Sequence, residues 1–316
     1  MPMTSGPTRR HHTSPAGAGT ANSTARDVLA GLDLRGRTAI LTGGYSGLGL
    51  ELTRAMSEAG ASVVVPARRP HRAEDALAGL TGVEIVSVDL GDLETVHRFA
   101  DRFLESGRPI HLLVANAAVM ATPEVRVGPG WESQFAINHL GHFVLVNRLW
   151  PALTAGGARV VVVVSGVSTI NWDDIQAHRR YDKWGAYLQS KTANRLFALQ
   201  LDQLGAGAGV RAFTVAPGFI LTPLQRHLTR EEMVAAGWVD NTGAVINDAF
   251  VSPAVGASTI AWAAVSPDLD GRGALHCENN AVIGSIAATV DPADAPRLWD
   301  YSARITGADL RSTFAR

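Results

Sequence analysis

The feature that most constrains the fold is a repeated alternation between short apolar segments and longer amphipathic segments. Segments such as TAILTG (38–43) and RVVVVVS (159–165) have the length and the β-branched content of buried strands, whereas LETVHRFADRFLES (93–106) has helical periodicity. This alternation is typical of βαβ units, in which helices cover both faces of a parallel sheet. It predicts one doubly wound, three-layer α/β/α domain over residues 23–316.

The N-terminal segment has a different composition from the rest of the chain. Residues 1–22 are rich in Gly, Pro, Ser and Thr and contain no apolar core, so we expect a disordered tail and not a secretion signal. A tail that contacts an acidic partner through Arg9, Arg10, His11 and His12 is the alternative.

Composition excludes several classes of function. A formal net charge of −1 gives no electrostatic reason to expect a nucleic-acid partner, and no apolar run approaches the roughly 20 residues that a membrane helix needs. The single cysteine, Cys277, excludes an internal disulfide framework and a zinc site built on cysteines. A cytoplasmic protein without a membrane contact is therefore expected.

A glycine-rich motif follows the first predicted strand. In TGGYSGLG (42–49) the glycines are spaced Gly43-x-x-x-Gly47-x-Gly49 and lead into a helix. Glycines at such a junction let the backbone approach a pyrophosphate, and the helix N-terminus supplies N–H groups and a positive dipole. The motif favours a Rossmann-type dinucleotide site, with a flexible turn as the alternative.

The end of the second predicted strand indicates which dinucleotide is preferred. An acidic residue there would bind the ribose 2′-hydroxyl of NAD, but the chain has Ala67 followed by Arg68 and Arg69. Because a guanidinium suits a phosphate, NADP is favoured over NAD, unless the arginines are only solvated surface groups. Asp89, after the third strand, either accepts a hydrogen bond from adenine or caps the next helix.

A tyrosine and a lysine are placed one helical turn apart in AYLQSKTANRL (186–196). Lys183 and Lys191 are the only lysines of the chain, and Lys191 stands four residues after Tyr187. At that spacing the two side chains share one face of a helix. A nearby ammonium favours the phenolate, so Lys191 is expected to lower the pKa of Tyr187 and to make it a general acid/base.

Several motifs in the same order together resemble the classical short-chain dehydrogenase/reductase family. They are TGGYSGLG, VDL, ANAA, NHLGHF, RVVVVVS, YLQSK and APG, and the resemblance runs from about Ser23 to the C-terminus. The chain is most similar to the branch that contains retinol dehydrogenases and the WW-domain oxidoreductase. The resemblance implies NADP(H)-dependent transfer of a hydride between nicotinamide and a carbonyl or alcohol carbon, and a homodimer or homotetramer.

The resemblance also implies roles for four catalytic residues. Tyr187 is the acid/base, and Lys191 binds the nicotinamide ribose. Ser165 donates a hydrogen bond to the substrate oxygen, with Ser168 as a competitor, and Asn138 organises a water and Lys191 into a proton relay. The predicted cofactor-binding residues are Gly43, Tyr45, Ser46, Gly47, Leu48, Gly49, Arg68, Arg69, Asp89, Leu90, Asn116, Ala117, Ala118, Tyr187, Lys191, Pro217, Gly218, Ile220 and Thr222.

No metal is expected. His139 and His142 stand close together in NHLGHF, but no acidic or cysteine set accompanies them, and ordinary packing is the favoured interpretation.

The segment 223–253 has weak periodicity and is predicted to cover the substrate. Its apolar residues Leu224, Leu228, Met233 and Trp238 indicate a medium-sized, partly apolar ketone, aldehyde or alcohol. Two alternatives are a nucleotide-binding regulatory protein without turnover and an enoyl reductase or epimerase on the same fold. An intact set of catalytic residues argues against the first, and the Tyr–Lys spacing argues against an enoyl reductase.

Overall fold

The computed structural model describes residues 22–313, so the predicted tail lies outside the described residues except for Asn22. The strands are β1 (Thr38–Leu41), β2 (Ser62–Ala67), β3 (Val83–Ser87), β4 (Leu112–Ala115), β5 (Arg126–Val127), β6 (Trp131–Glu132), β7 (Arg159–Val163), β8 (Arg211–Val215), β9 (Leu275–Glu278) and β10 (Ala281–Ser285). The α-helices are α1 (Ala25–Leu29), α2 (Gly47–Glu58), α3 (Pro70–Leu77), α4 (Leu93–Glu105), α5 (Ser133–Phe135), α6 (Gly141–Arg148), α7 (Trp150–Gly156), α8 (Lys183–Gly205), α9 (Arg230–Ala235), α10 (Pro253–Gly256), α11 (Ser258–Val265) and α12 (Asp294–Thr306).

Eight of the strands form one twisted sheet with the order β10-β9-β8-β7-β4-β1-β2-β3. Neighbouring strands are parallel except for β10, which pairs antiparallel with β9. The short strands β5 and β6 form a separate hairpin. The chain runs outward from β1 to β2 and β3 and then crosses back to β4 on the other side of β1. Ligands bind at such a reversal of strand order in a doubly wound sheet. The predicted Rossmann-like α/β fold is confirmed.

Both faces of the sheet are buried. Val160 and Val162 of β7 belong to one hydrophobic cluster, and Val161 and Val163 belong to the cluster on the other face. Successive side chains of a strand point to opposite faces, so a strand covered on both sides must be apolar at every position. This requirement explains why residues 160–164, in and just after β7, are all valine.

The segment GWESQFAINHLGHFVLVNRLWPAL (130–153) predicts one long helix, but this prediction is wrong, because the structure divides the segment. Gly130 has φ +108°, which is not helical, and the next two residues belong to β6. A π-helical segment, Ala136–Leu140, separates α5 from α6. Pro151 lies in the first turn of α7 and cannot donate the hydrogen bond that would continue α6.

The last part of the fold, β10 and α12, was not predicted from the sequence. Helix α12 packs on α8, and the indole of Trp299 stacks on the ring of Phe197 with 5.9 Å between the ring centroids. This contact buries Trp299 to 2% exposure and closes one side of the larger core.

Across residues 22–313, none of the helices combines the length and hydrophobicity needed to cross a bilayer.

His139 is an ionisable side chain inside this core. It is 1% exposed, its Nε2 atom lies 2.8 Å from Ser302 Oγ, and its ring packs against Phe135, Phe143 and Phe197. Burial lowers the pKa of His139 to about 3. Between about pH 6.5 and pH 3, His139 is therefore protonated in the unfolded chain but neutral in the folded chain.

We expect the free energy of unfolding to fall as the pH is lowered below about 6.5, by about 1.4 kcal/mol for each pH unit from His139 alone. Replacing His139 with Gln should reduce the loss between pH 7 and pH 5 by about 2 kcal/mol. Urea unfolding at both pH values measures this, with the exposed His71→Gln as the control. An equal loss in the wild type and in His139→Gln would contradict the assignment.

Candidate active site

A large cavity lies at the carboxyl edge of the sheet, next to the reversal between β1 and β4. Its volume is about 850 Å³, and it is lined by the segments that follow β1, β2, β3, β4, β7, β8 and β9, together with α8 and the loop after β8. All the predicted cofactor-binding residues except Gly49 line it, and so do Ser165, Tyr187 and Lys191. Asn138 does not.

The glycines of TGGYSGLG form a tight turn that has no room for side chains. Gly43 and Gly47 have φ of +68° and +51°, in the left-handed region that favours glycine. A Cβ atom on Gly49 would lie 2.2 Å from the carbonyl oxygen of Gly43. Gly49 therefore does not line the cavity; its missing side chain lets α2 pack closely against the backbone of Gly43. The N-terminus of α2, at Gly47, faces the cavity.

The hydroxyl group of Thr42 connects this turn to the neighbouring strand. It accepts hydrogen bonds from the backbone N–H groups of Asn116 and Ala117, each at 3.0 Å. The Asn116 side chain in turn donates to the carbonyl of Thr42 at 2.9 Å. Asn116 thus braces the end of β1 against the end of β4.

His142 extends the connection to the helix that contains Asn138. Its Nδ1 atom lies 3.0 Å from the carbonyl oxygen of Asn138, which can only accept, so Nδ1 carries the proton. The ring is neutral because burial lowers the pKa of His142 to about 4. The Nε2 atom therefore accepts a hydrogen bond from the Thr42 hydroxyl at 2.8 Å. His142 thus has a structural role that joins Thr42 to Asn138.

The side chain of Asn138 is fully buried in the π-helical segment and joins two other elements. Its Oδ1 accepts from the N–H of Val119 at 2.8 Å, and its Nδ2 donates to the Val119 carbonyl and to Ser190 Oγ, both at 2.9 Å. Single π-helical turns inside α-helices are frequent at functional sites. Asn138 thus positions α8 from behind Tyr187 and Lys191, and its place in a proton relay stays a prediction.

Tyr187 and Ser165 meet inside the cavity. Tyr187 is 5% exposed, and its hydroxyl forms a hydrogen bond with the side chain of Ser165. Burial raises the pKa of Tyr187, and the hydrogen bond with Ser165 offsets only part of that rise. In the protein chain alone this pKa is therefore raised, contrary to the lowering expected from Lys191, because burial is the largest effect.

Lys191 is buried next to Tyr187. Its Nζ atom donates to the carbonyl of Val163 at 3.0 Å and lies 6.0 Å from the centroid of the Tyr187 ring. Burial lowers the pKa of Lys191 to about 8. Lys183, by contrast, forms an ion pair with Glu232 and does not line the cavity.

Of the two serines considered, Ser165 is the one at the cavity. Ser168 lies outside it, where its backbone N–H donates to Thr192 Oγ1 at 2.9 Å. The carbonyl of Ser165 accepts a hydrogen bond from Nη2 of Arg195, also at 2.9 Å. Arg195 was missed in the sequence, although it stands four residues after Lys191 and so shares its helix face.

The segment after β2 places several cations at one end of the cavity. Arg68, Arg69 and Arg72 line it, as does Arg226 from the loop after β8, which the sequence did not indicate. Asp89 also lines the cavity, but its Oδ1 accepts from the N–H of Gly91 at 2.9 Å. The residue that caps α4 is Asp92, not Asp89.

The loop after β8 forms the apolar side of the cavity. Trp238 and Phe250 line it together with Trp184 of α8. The rings form a series that starts at Tyr187: the centroids lie 6.4 Å apart for Tyr187 and Trp184, 6.2 Å for Trp184 and Trp238, and 5.8 Å for Trp238 and Phe250. Leu224 also lines the cavity. Leu228 and Met233, predicted with it, pack behind this wall instead.

The Thr42–His142 contact yields a prediction about the site. We expect His142→Phe to lower the free energy of unfolding by about 1–3 kcal/mol, because it removes two buried hydrogen bonds, one to the Thr42 hydroxyl and one to the Asn138 carbonyl. We also expect weaker binding of the dinucleotide, because the turn beside Thr42 loses its support. Urea unfolding and calorimetric binding of the cofactor measure both effects.

The matched control is His139→Phe, which removes a buried imidazole that does not contact the turn. It should lower stability but leave cofactor affinity within about twofold. Equal losses of affinity in both variants would show that His142 acts only through general stability.

The geometry can be compared with known proteins. Residues 37–233 match the family model of the short chain dehydrogenases. A probable oxidoreductase from Streptomyces lividans is 41% identical over 295 residues, which cover 86% of this chain and 98% of that protein. Polyprenol dehydrogenase from Mus musculus is 35% identical over 291 residues, covering 86% of this chain and 84% of the mouse protein.

Among solved structures, an uncharacterised protein from Mycobacterium paratuberculosis is similar over 92% of this chain and 98% of its own, with a TM-score of 0.71 and 30% identity. The mostly parallel eight-stranded sheet flanked by helices agrees with these matches. The chain belongs to the short-chain dehydrogenase/reductase family of oxidoreductases, whose members use nicotinamide cofactors.

Proposed function

We propose that the protein is an NADP(H)-dependent oxidoreductase that interconverts a carbonyl compound and an alcohol, with Tyr187 as the general acid/base. The observation that carries the proposal is the meeting of Ser165, Tyr187 and Lys191 inside the cavity that the glycine turn opens.

The residues of the cavity fit a dinucleotide. The turn at Gly43 and Gly47 brings backbone to the wall of the cavity, as the approach of a pyrophosphate requires, and Asn116 and Ala117 continue the same wall. Arg68 and Arg69 offer guanidinium groups to a 2′-phosphate. A nicotinamide bound at the other end would supply or accept the hydride.

Tyr187 and Ser165 would handle the oxygen of the substrate. Because its pKa is raised, the hydroxyl of Tyr187 stays protonated at neutral pH and can donate its proton to an oxygen that gains charge during carbonyl reduction. The Ser165 hydroxyl, already bonded to Tyr187, can hold the same oxygen in place. Both groups lie in a buried setting in which hydrogen bonds to a developing charge are strong.

Lys191 supports this proton transfer through its positive charge. Its ammonium is fixed by the carbonyl of Val163 and lies beside the Tyr187 ring, where a positive charge favours the phenolate that remains after proton donation. A pKa of about 8 keeps Lys191 largely charged at pH 7. The nicotinamide ribose is the other partner that we assign to it.

The substrate is inferred to be an apolar alcohol or the corresponding aldehyde or ketone. The aromatic wall of Trp184, Trp238 and Phe250 offers an apolar surface within reach of Tyr187. The mouse relative is named for the dehydrogenation of a polyprenol, which supports an apolar alcohol. A cytoplasmic location and a homodimer or homotetramer complete the proposal.

The central test is Tyr187→Phe, which keeps the ring but removes the hydroxyl. We expect kcat/KM for reduction of apolar ketones and aldehydes with NADPH to fall by about 10²–10⁴-fold. The control is Tyr181→Phe, because the Tyr181 hydroxyl bonds to Thr122 and Gln134 outside the cavity. Full turnover by Tyr187→Phe would refute the mechanism. If the wild type reduced none of the apolar ketones and aldehydes tested, a regulatory protein without turnover would be favoured.

The cofactor preference has its own test. We expect the wild type to bind NADPH at least about tenfold more tightly than NADH, and the Arg68→Ala/Arg69→Ala double variant to lose this difference by weakening NADPH alone. Calorimetric titration with both cofactors measures it. Tighter binding of NADH by the wild type would overturn the NADP assignment while leaving the role of Tyr187 intact.

A further inference from the structure

Four guanidinium groups meet at one end of the cavity without carboxylate partners. Arg68 and Arg69 follow β2, Arg72 belongs to α3, and Arg226 comes from the loop after β8. Among the described residues, none of the four forms a salt bridge. Unpaired like charges at one place repel one another, and a bound anion would relieve this repulsion.

The charges are close enough to affect one another. Partial burial lowers the pKa of Arg226, and the positive charges of Arg68 and Arg69 lower it further. The pKa of the adjacent His227 is lowered by burial and then by Arg226 and Arg68. The loop after β8 therefore places the positive charge of Arg226 close to those of Arg68 and Arg69, which follow β2.

We propose that Arg226 is an additional ligand of the 2′-phosphate of NADP(H) and that this contact fixes the substrate loop over the cofactor. The inference rests on the proposed NADP preference and extends it to a residue outside the segment after β2. The Nη1 atom of Arg226 donates to the carbonyl of Pro223 at 2.9 Å, which holds the side chain on its own loop. Its remaining N–H groups are those that a phosphate would use.

The loop that carries Arg226 touches both ends of the cavity. Thr222 at its start lies against the glycine turn, since a Cβ atom on Gly47 would be 3.2 Å from the Thr222 side chain. Further along, Trp238 packs on Trp184 beside Tyr187. A phosphate held by Arg226 would therefore fix a segment that also forms the wall next to the acid/base. NADP(H) would organise the substrate side of the cavity more strongly than NAD(H).

The first test measures binding of NADPH and of NADH to Arg226→Gln by calorimetry. We expect affinity for NADPH to fall about 10- to 100-fold, as for loss of a charged hydrogen bond, and affinity for NADH to change by less than about twofold. Arg226→Lys should restore part of the affinity. The matched control is Arg230→Gln on the same loop, because Arg230 bonds to the carbonyls of Asn241 and Thr242 and does not line the cavity.

Equal effects of Arg226→Gln on both cofactors, or no effect on either, would overturn the role of Arg226. If the wild type itself did not prefer NADPH, the cofactor proposal would fail instead, so the two failures are distinguishable.

The second test uses adenosine 2′,5′-bisphosphate and 5′-AMP as probes of the loop. We expect the bisphosphate to slow amide hydrogen exchange over residues 223–253 in the wild type but not in Arg226→Gln, and 5′-AMP at equal occupancy to have a smaller effect. No difference between the two probes in the wild type would overturn the link between the 2′-phosphate and the loop.

Discussion

The hydroxyl group of Thr42 is the contact on which the arrangement of the site depends. It accepts hydrogen bonds from two backbone N–H groups at the end of β4 and donates a hydrogen bond to His142. His142 in turn donates a hydrogen bond to the carbonyl of Asn138. The Asn138 side chain then binds Ser190 of α8, the helix that carries Tyr187 and Lys191. A chain of buried hydrogen bonds therefore joins the turn for the cofactor to the helix for proton transfer, and buried networks of this kind hold side chains in one position.

The two ends of the cavity differ in their electrostatics. At the arginine end, cations lie near the surface without carboxylate partners, which suits a phosphate. At the other end, burial raises the pKa of Tyr187 and lowers that of Lys191 to about 8, so that at pH 7 Tyr187 is neutral and Lys191 is still largely charged. A buried neutral tyrosine is a suitable proton donor, and a cationic nicotinamide would add to the charge of Lys191 in favouring its ionisation.

The sequence predicted those features that depend on local pattern, and missed those that depend on distant contacts. Alternation of apolar segments predicted the parallel sheet, and the glycine turn, Ser165, Tyr187 and Lys191 each carry a local signal at a strand or helix end. The segment 130–153 is divided partly at Gly130 and Pro151, which carry a local signal, and partly at the π-helical segment, where Asn138 makes contacts with Val119 and Ser190 that no local pattern reveals. Arg226 reaches the site only because the loop folds back on the glycine turn, and burial of Tyr187, which reverses its expected pKa shift, depends on the whole cavity.

The most direct test of the account is an ultraviolet difference titration of Tyr187, obtained by subtracting the Tyr187→Phe variant from the wild type. In the free protein we expect the Tyr187 transition above the ordinary tyrosine pKa of about 10. With saturating NADP⁺ it should move to lower pH by at least about one unit, since a cationic nicotinamide beside Tyr187 favours the phenolate. A transition at the same pH with and without NADP⁺, and likewise with NAD⁺, would contradict the claim that Tyr187 is the acid/base of a nicotinamide site.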